Sequence, residues 1–438
     1  MIWAEVAAEF LLASALGAVI RVRRMSFLVG PWFLFVWLAA ELPVYGAVSS
    51  LVTAGVLGWM HAHTWALASA GVACVMFTWI AWRTAKNHQS FSEALGSVLQ
   101  THESCSLHVG FKKATMLLDP WPVEWLIPSD VERIGNLSYG PKGRRNKLDI
   151  YRPRVRSAEK LPILLQIHGG GWCVGNKRQQ ARPLMHAFAQ RGWMCIAINY
   201  RLSPWATFPD HVIDVKRAIA WIKANVEIYG GDPARIVVTG GSAGAHLTAL
   251  TGLTANDPRF QPGFEHADTR VTACVPLYGV YDLLDRHGDR RDSSLRWLVR
   301  MLVLKKHPKE REHWELASPF SHVHPGAPPF FVVHGTHDVL AWVEEARRFV
   351  SELKRVSKAP VLYAELNGAQ HAFELFRSMR SRHTVLAIEA FARWAVTTYS
   401  SYPEGNSTVR TETLPLSSIT STAGNEAVLG RQIPREQA

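Results

Sequence analysis

Ile236-Val237-Val238-Thr239-Gly240-Gly241-Ser242-Ala243-Gly244-Ala245-His246-Leu247-Thr248-Ala249-Leu250-Thr251-Gly252-Leu253 is the stretch on which the fold turns. Its first four residues are β-branched and read as a buried strand, Ile236–Thr239. Ala245 to Leu253 reads as a helix. Between them, Gly240–Gly244 is G-x-S-x-G in the strand–turn–helix setting that this motif requires. Glycine suits such a turn because it is sharp and packed against neighbouring backbone. The turn lifts the Ser242 hydroxyl out of a sheet and sets it at a helix N-terminus. A structural glycine-rich turn would carry the same letters, so the surroundings must decide.

Outward from this segment, short β-rich runs alternate with amphipathic helical stretches. The strands read as Leu148–Tyr151, Ile163–His168, Met194–Asn199, Ile236–Thr239, Ala273–Leu277, Phe330–His334 and Val361–Ala364. One helix pattern spans 212–229, with Val212, Val215, Ile219 and Ile222 on one face. Another spans about 341–355, with Val343, Ala346, Phe349, Val350 and Leu353 inward. Alternation of this kind with near-continuous apolar strands predicts a mostly parallel sheet covered on both faces.

A nucleophilic serine needs a base, and the base needs an orienting carboxylate. The strand Phe330–His334 runs into Gly335-Thr336-His337-Asp338, so Asp338 sits past a strand end, where open parallel sheets meet ligands. Val361–Ala364 is followed by Gly368-Ala369-Gln370-His371-Ala372-Phe373, which places His371 beyond the next strand. The chain order Ser, Asp, His is the one expected behind G-x-S-x-G. Taken singly, Asp338 also reads as an N-cap for the helix at 341–355, and His371 is one of 19 histidines. Upstream, the strand Ile163–His168 opens into His168-Gly169-Gly170-Gly171-Trp172. This matches the H-G-G-G type of loop, whose backbone N–H groups, with that of the residue after the nucleophile (Ala243), can stabilise an oxyanion.

From about residue 131 to 399 the chain resembles the α/β-hydrolase superfamily and, within it, the hormone-sensitive-lipase-like esterases. The resemblance rests on H-G-G-G-W (168–172), N-Y-R-L-S-P (199–204), Phe208-Pro209, G-G-S-A-G (240–244), H-G-T-H-D (334–338) and G-A-Q-H-A-F (368–373). It implies Ser242 as nucleophile, His371 as general acid/base and Asp338 as its orienting partner. It also implies Gly170, Gly171 and Ala243 as oxyanion donors, with His168, Gly169 and Trp172 supporting the loop. No metal or organic cofactor is implied. Many members carry Asp where this chain has Gly241, and Ala245-His246-Leu247 is more similar to the arylformamidase and prenylcysteine-methylesterase branch. The expected activity is hydrolysis of small or lipid-like acyl esters through an acyl-serine. Amidase, formamidase or methylesterase action with the same triad stays open. A non-catalytic hydrolase-fold binding protein would have a broken triad or oxyanion loop, and none of those parts is missing.

The chain has 438 residues, of which 48% are hydrophobic and 19% charged, which excludes a mainly disordered or fibrous protein. Five scattered cysteines (Cys74, Cys105, Cys173, Cys195, Cys274) form neither a disulfide framework nor a C-x-x-C metal pattern. Net charge is +12, but the basic residues form no nucleic-acid-binding stripe or module. Attraction to anionic lipid is the better reading.

Between Arg24 and Arg83 lie 58 residues with Glu41 as the only Asp, Glu, Lys or Arg. Thr64–Trp82, uncharged throughout, would reach roughly 28 Å as a helix, about one hydrocarbon core. A second candidate lies between about Phe27 and Met60, interrupted by Pro31, Glu41 and Pro43. Such a region resembles the N-terminus of membrane-associated actinobacterial Lip-type esterases and of membrane-bound methylesterases. The expected organisation is an amphipathic lead-in (1–24), a transmembrane region (25–83, a two-helix hairpin), a linker (84–130), the α/β domain (131–399) with a cap insertion at about 282–326, and a disordered tail (400–438). Basic flanks on both sides of the apolar region put both ends of a hairpin, and the α/β domain, on the cytoplasmic face. In the cap, 295–306 is apolar and basic together, which suggests an interfacial helix bearing Arg296, Arg300, Lys305 and Lys306. The expected partners are thus an ester substrate and membrane lipid.

Overall fold

A computed structural model describes residues 1–21, 29–116, 126–288 and 294–399. The tail expected from Ser400 lies outside them.

Eight strands form one sheet: β1 (Val131–Ser138), β2 (Lys147–Pro153), β3 (Leu161–Ile167), β4 (Met194–Ile198), β5 (Gly231–Gly241), β6 (Ala273–Leu277), β7 (Phe330–Gly335) and β8 (Val361–Leu366). Their order is β1-β2-β4-β3-β5-β6-β7-β8. The β1–β2 and β2–β4 pairs are antiparallel, and every pairing from β4 to β8 is parallel. All seven sequence-read strands are present. The unread one, β1, is an edge strand with mostly half-exposed or exposed side chains, so it lacks the apolar run that marks the others.

Thirteen α-helices accompany the sheet among the described residues. Six precede it: α1 (Ile2–Val19), α2 (Val29–Glu41), α3 (Pro43–Trp59), α4 (Thr64–Ala85), α5 (His88–Leu95) and α6 (Thr101–Met116). The rest are α7 (Arg182–Gln190), α8 (Asp210–Asn225), α9 (Ala243–Leu253), α10 (Ser294–Leu298), α11 (Arg311–Leu316), α12 (Val343–Val356) and α13 (Met379–Thr398). In β5, Ile236 and Val238 join the core under α8, α9 and α12, whereas Val237 joins the opposite core under α5, α6, α7 and α13. Burial on both faces is why the strand reads as an unbroken apolar run.

Within the stretch expected to be a linker, α5 and α6 are helical and packed on the sheet. Phe91, Leu95 and Phe111, from α5 and α6, are each 1% exposed or less and enter the second core. Only a few widely spaced apolar side chains bury these helices, too few to show a period.

The N-terminal region also differs from the expected hairpin. In place of an amphipathic lead-in, α1 is apolar. With Thr64–Leu95 it makes two helices long and apolar enough to cross a membrane, each of mean hydropathy 1.6. A third would come from the pair Gly30–Glu41 and Pro43–Trp59, bent by 87°. The bend falls at Pro43, whose ring cannot follow a preceding helical turn. Small residues meet at the helix contacts: Ala8, Ala15, Ala66, Ala70 and Ala73 are fully buried. Large apolar ones point outward, with Trp3 85%, Leu51 66%, Trp59 82% and Val75 70% exposed.

Candidate active site

Strand β5 delivers Ser242 to the carboxyl edge of the sheet. Ser242 caps α9 with φ 58°, a left-handed conformation that costs a non-glycine residue on the order of 1–3 kcal/mol. Surrounding contacts hold it there: its N–H donates to Leu277 O at 3.0 Å, and every residue of α9 is buried. The elbow must also be thin, since a Cβ on Gly244 would lie 2.1 Å from Ile167 O in β3.

The strands from β4 to β8 are parallel, so the loops after β3, β5, β7 and β8 leave from the same edge. Asp338 follows β7 and His371 follows β8, and His371 Nδ1 lies 2.7 Å from Asp338 Oδ2. Both are buried. Asp338 Oδ1 accepts from the N–H groups of Leu340 and Ala341 at 2.9 and 2.7 Å. These bonds close the turn before α12; they do not cap the helix, whose N-cap is Trp342. Burial alone would raise the Asp338 carboxyl, but His371 and His334 outweigh it and hold it well below the ordinary aspartate value. His334 Nε2 lies 3.5 Å from Asp338 Oδ2 and 2.8 Å from Ala341 O. The carboxylate is therefore ionised and fixed, and its Oδ2 is directed at the imidazole.

The loop after β3 lies against the elbow. A Cβ on Gly169 would meet Gly241 O at 2.6 Å and Ser242 Cβ at 3.1 Å. Gly170 and Gly171 have φ 107° and 58°. The Gly169 N–H donates to Gln180 Oε1 at 2.5 Å and so is committed. Among the described residues, the N–H groups of Gly170, Gly171 and Ala243 donate to no partner. His168 is buried with its ring stacked on Tyr200 at 4.4 Å. Burial pushes its pKa down to about 4, so it is neutral at ordinary pH and braces the loop. Trp172 is also buried, and its Nε1 donates to His246 Nδ1 at 3.2 Å. His246 Nε2 in turn reaches Ala317 O at 2.7 Å. His246 is thus a strut between the glycine loop, α9 and the segment entering β7.

In the cap, the basic helix expected at 295–306 is the five-residue α10 followed by a π turn at Val299–Val303. Trp297 and Met301 are exposed. Arg296 is drawn inward over the Trp314 ring at 5.3 Å, and Lys305 Nζ donates to Pro204 O. Arg300 and Lys306 stay exposed. Cys173, beside the glycine loop, has its thiol pKa raised by burial, which makes it a weaker nucleophile. Among the described residues no group of three or more His, Cys, Asp or Glu could hold a metal ion.

Two residues at the site escaped the sequence reading. The Tyr278 ring packs edge-on against His371 at 4.6 Å, and its hydroxyl donates to Glu374. That hydroxyl occupies the space beside Gly241, where a Cβ would lie 2.1 Å from it. This explains why Gly241 stands where an Asp is common: Tyr278 fills the volume. Burial raises the Glu374 carboxyl. The available signal was an acidic residue three positions after His371 in an otherwise apolar stretch.

The BD-FAE family model matches residues 148–353, which include Ser242 and Asp338 but stop short of His371. A probable carboxylic ester hydrolase of Mycobacterium tuberculosis, LipM, is 53% identical over 62% of this chain and 64% of its own length. Esterase LipQ of the same organism is 46% identical over 58% of this chain and 61% of its own. A probable isoprenylcysteine alpha-carbonyl methylesterase of Oryza sativa is 33% identical over 48% and 51%. The chain therefore spans less than two thirds of the length of these relatives. Among solved structures, a truncated carbohydrate esterase from gut microbiota superposes with a TM-score of 0.51 at 23% identity, over 61% of this chain and 99% of that one, a likeness of fold alone. In its sheet topology, its elbow and these relatives, the segment from about 131 to 399 is similar to the α/β-hydrolase superfamily and to its hormone-sensitive-lipase-like esterases.

Proposed function

We propose that this protein is a serine carboxylic ester hydrolase. The observation that carries the reading is the 2.7 Å contact between His371 and a buried, ionised Asp338 at the sheet edge that also presents Ser242. Asp338 holds Nδ1–H and leaves Nε2 to take the proton from Ser242 as the hydroxyl attacks the ester carbonyl. The N–H groups of Gly170, Gly171 and Ala243 stabilise the tetrahedral oxyanion. The alcohol leaves protonated by His371, an acyl-serine remains, and water activated by His371 releases the acid. These steps need no metal.

Names of the relatives support an ester over an amide. The plant methylesterases favour a second reading, in which the substrate is a methyl ester on a lipid-bearing group. Hydrolysis of nitrophenyl esters from acetyl to palmitoyl tests the main reading. Turnover and fluorophosphonate labelling should both vanish in Ser242→Ala. A folded wild-type protein that does neither would refute it.

The N-terminal helices are proposed as a membrane anchor. Their pattern of small residues inside and large apolar residues outside is the one expected in lipid, where side-chain packing rather than exclusion of water holds helices together. Val19 and Arg21, at the end of α1, reach His337 and Glu344 of the α/β domain, so an α1 that spans the bilayer sets the N-terminus on the face opposite that domain. Protease protection of the α/β domain in right-side-out vesicles tells which face it occupies.

A further inference from the structure

Glu41, the single charge in the long apolar run, turns inward toward the α/β domain and is 1% exposed. Its Oε2 pairs with Arg380 at the start of α13, which is equally buried. Arg380 Nη2 also reaches Thr84 Oγ1 at 3.1 Å. The other Glu41 oxygen accepts the backbone N–H of Gln370 at 3.2 Å, and Gln370 immediately precedes His371. The loop carrying Asp338 is held in a parallel way. His337, the residue before Asp338, places Nε2 3.3 Å from the carbonyl oxygen of Val19, the last residue of α1. Phe33 of α2 brings its ring to 6.3 Å from the His371 imidazole, edge-on.

We propose that the N-terminal helices belong to the catalytic centre, with Glu41 as a positioning residue that, together with the Val19 carbonyl, clamps the two loops bearing His371 and Asp338. This rests on the serine-hydrolase reading. A buried ion pair adds little stability over apolar side chains of the same size, so packing alone gives no reason for a carboxylate here. An apolar replacement could fill the space but could not accept the Gln370 N–H. His371 sits in 367–378, the loop between β8 and α13, which has no helix or strand of its own, so its position depends on such tethers. Errors of about 1 Å in a catalytic group cost on the order of 100-fold in rate.

The test uses the full chain in detergent with a nitrophenyl ester. Glu41→Ala would strand Arg380 in a buried site and could simply unfold the protein. The decisive comparison is therefore between Glu41→Gln/Arg380→Gln and Glu41→Leu/Arg380→Gln. Neither double variant buries a lone charge, and only the first keeps an acceptor for Gln370. The Gln/Gln variant should retain most of wild-type kcat. The Leu/Gln variant should fall about 10- to 100-fold in kcat with KM unchanged. Equal kcat in the two, or a difference confined to KM, would overturn the clamp. A wild-type chain that neither hydrolyses the ester nor labels with a fluorophosphonate would instead overturn the hydrolase reading beneath it.

Discussion

A single methyl group added at Gly241 should be enough to disturb both stability and turnover. Gly241 lies in β5 with ordinary strand backbone, so Gly241→Ala carries no dihedral penalty and its whole cost is contact. The new Cβ would lie 2.1 Å from Tyr278 Oη, 2.6 Å from Cζ and 2.8 Å from Cε2, where 3.4 Å is ordinary contact. Tyr278 must therefore shift by about 1.3 Å, the difference between 3.4 and 2.1 Å. It is 1% exposed, with no open space to move into, and the shift pulls its hydroxyl from Glu374. Overpacking costs about 1–3 kcal/mol and a stranded buried polar pair about 1–3 more. Together that is roughly 2–6 kcal/mol, or a fall in Tm of about 2–4 °C for each kcal/mol. Because Tyr278 packs on His371, kcat should fall as well. Thermal unfolding in detergent and ester turnover would be measured on Gly241→Ala, Tyr278→Leu and the double variant. Leu has no atoms at Oη, Cζ or Cε2, so the double variant should be more stable than the two single losses predict, by about 1 kcal/mol or more. An unchanged Tm and kcat in Gly241→Ala, or strict additivity in the cycle, would refute the account of why glycine stands there.

Other consequences are as open to measurement. His246→Leu removes the bridge between Trp172 and Ala317 and leaves both without partners, so stability should fall by about 2–5 kcal/mol, with a loss of kcat from the loosened glycine loop; full activity at unchanged Tm would count against the strut. Burial lowers the pKa of His168 to about 4 and that of His211 to about 3, both below the ordinary histidine value. The unfolded chain then binds more protons than the folded one as the pH drops below about 6.5, so the contribution of these residues is complete above that value and is lost toward pH 4 and 3. For His168 this amounts to about 3 kcal/mol by pH 4, and a Tm that stays flat from pH 6.5 to 4 would contradict it.

Much of the α/β domain was legible in the sequence because its parallel strands are buried on both faces and its site residues fall at strand ends. Ser242, Asp338 and His371 were proposed from order and spacing alone, whereas the 2.7 Å contact that joins the last two could not be read that way. What escaped was written in other terms. Strand β1 has a single buried side chain, Val131, and no apolar run. Helices α5 and α6 are anchored by a few side chains, Phe91 and Leu95 on the first and Phe111 on the second. Tyr278 and Glu374 act through space across 96 residues. Glu41 was visible as an anomaly in an apolar stretch, but its partner Arg380 lies on the last helix, and no local pattern links them.

The pairing of Glu41 with Arg380 also sets an order of events during synthesis. They are 339 residues apart, so at about 5–20 residues per second the arginine is made some tens of seconds after the glutamate. Throughout that interval α2 has no cation to dock against, and α5 and α6 lack the α13 surface that later covers Phe111. Helix α2, made early, is thus among the last elements to reach its final place, and nascent chains stalled before residue 380 should keep it undocked.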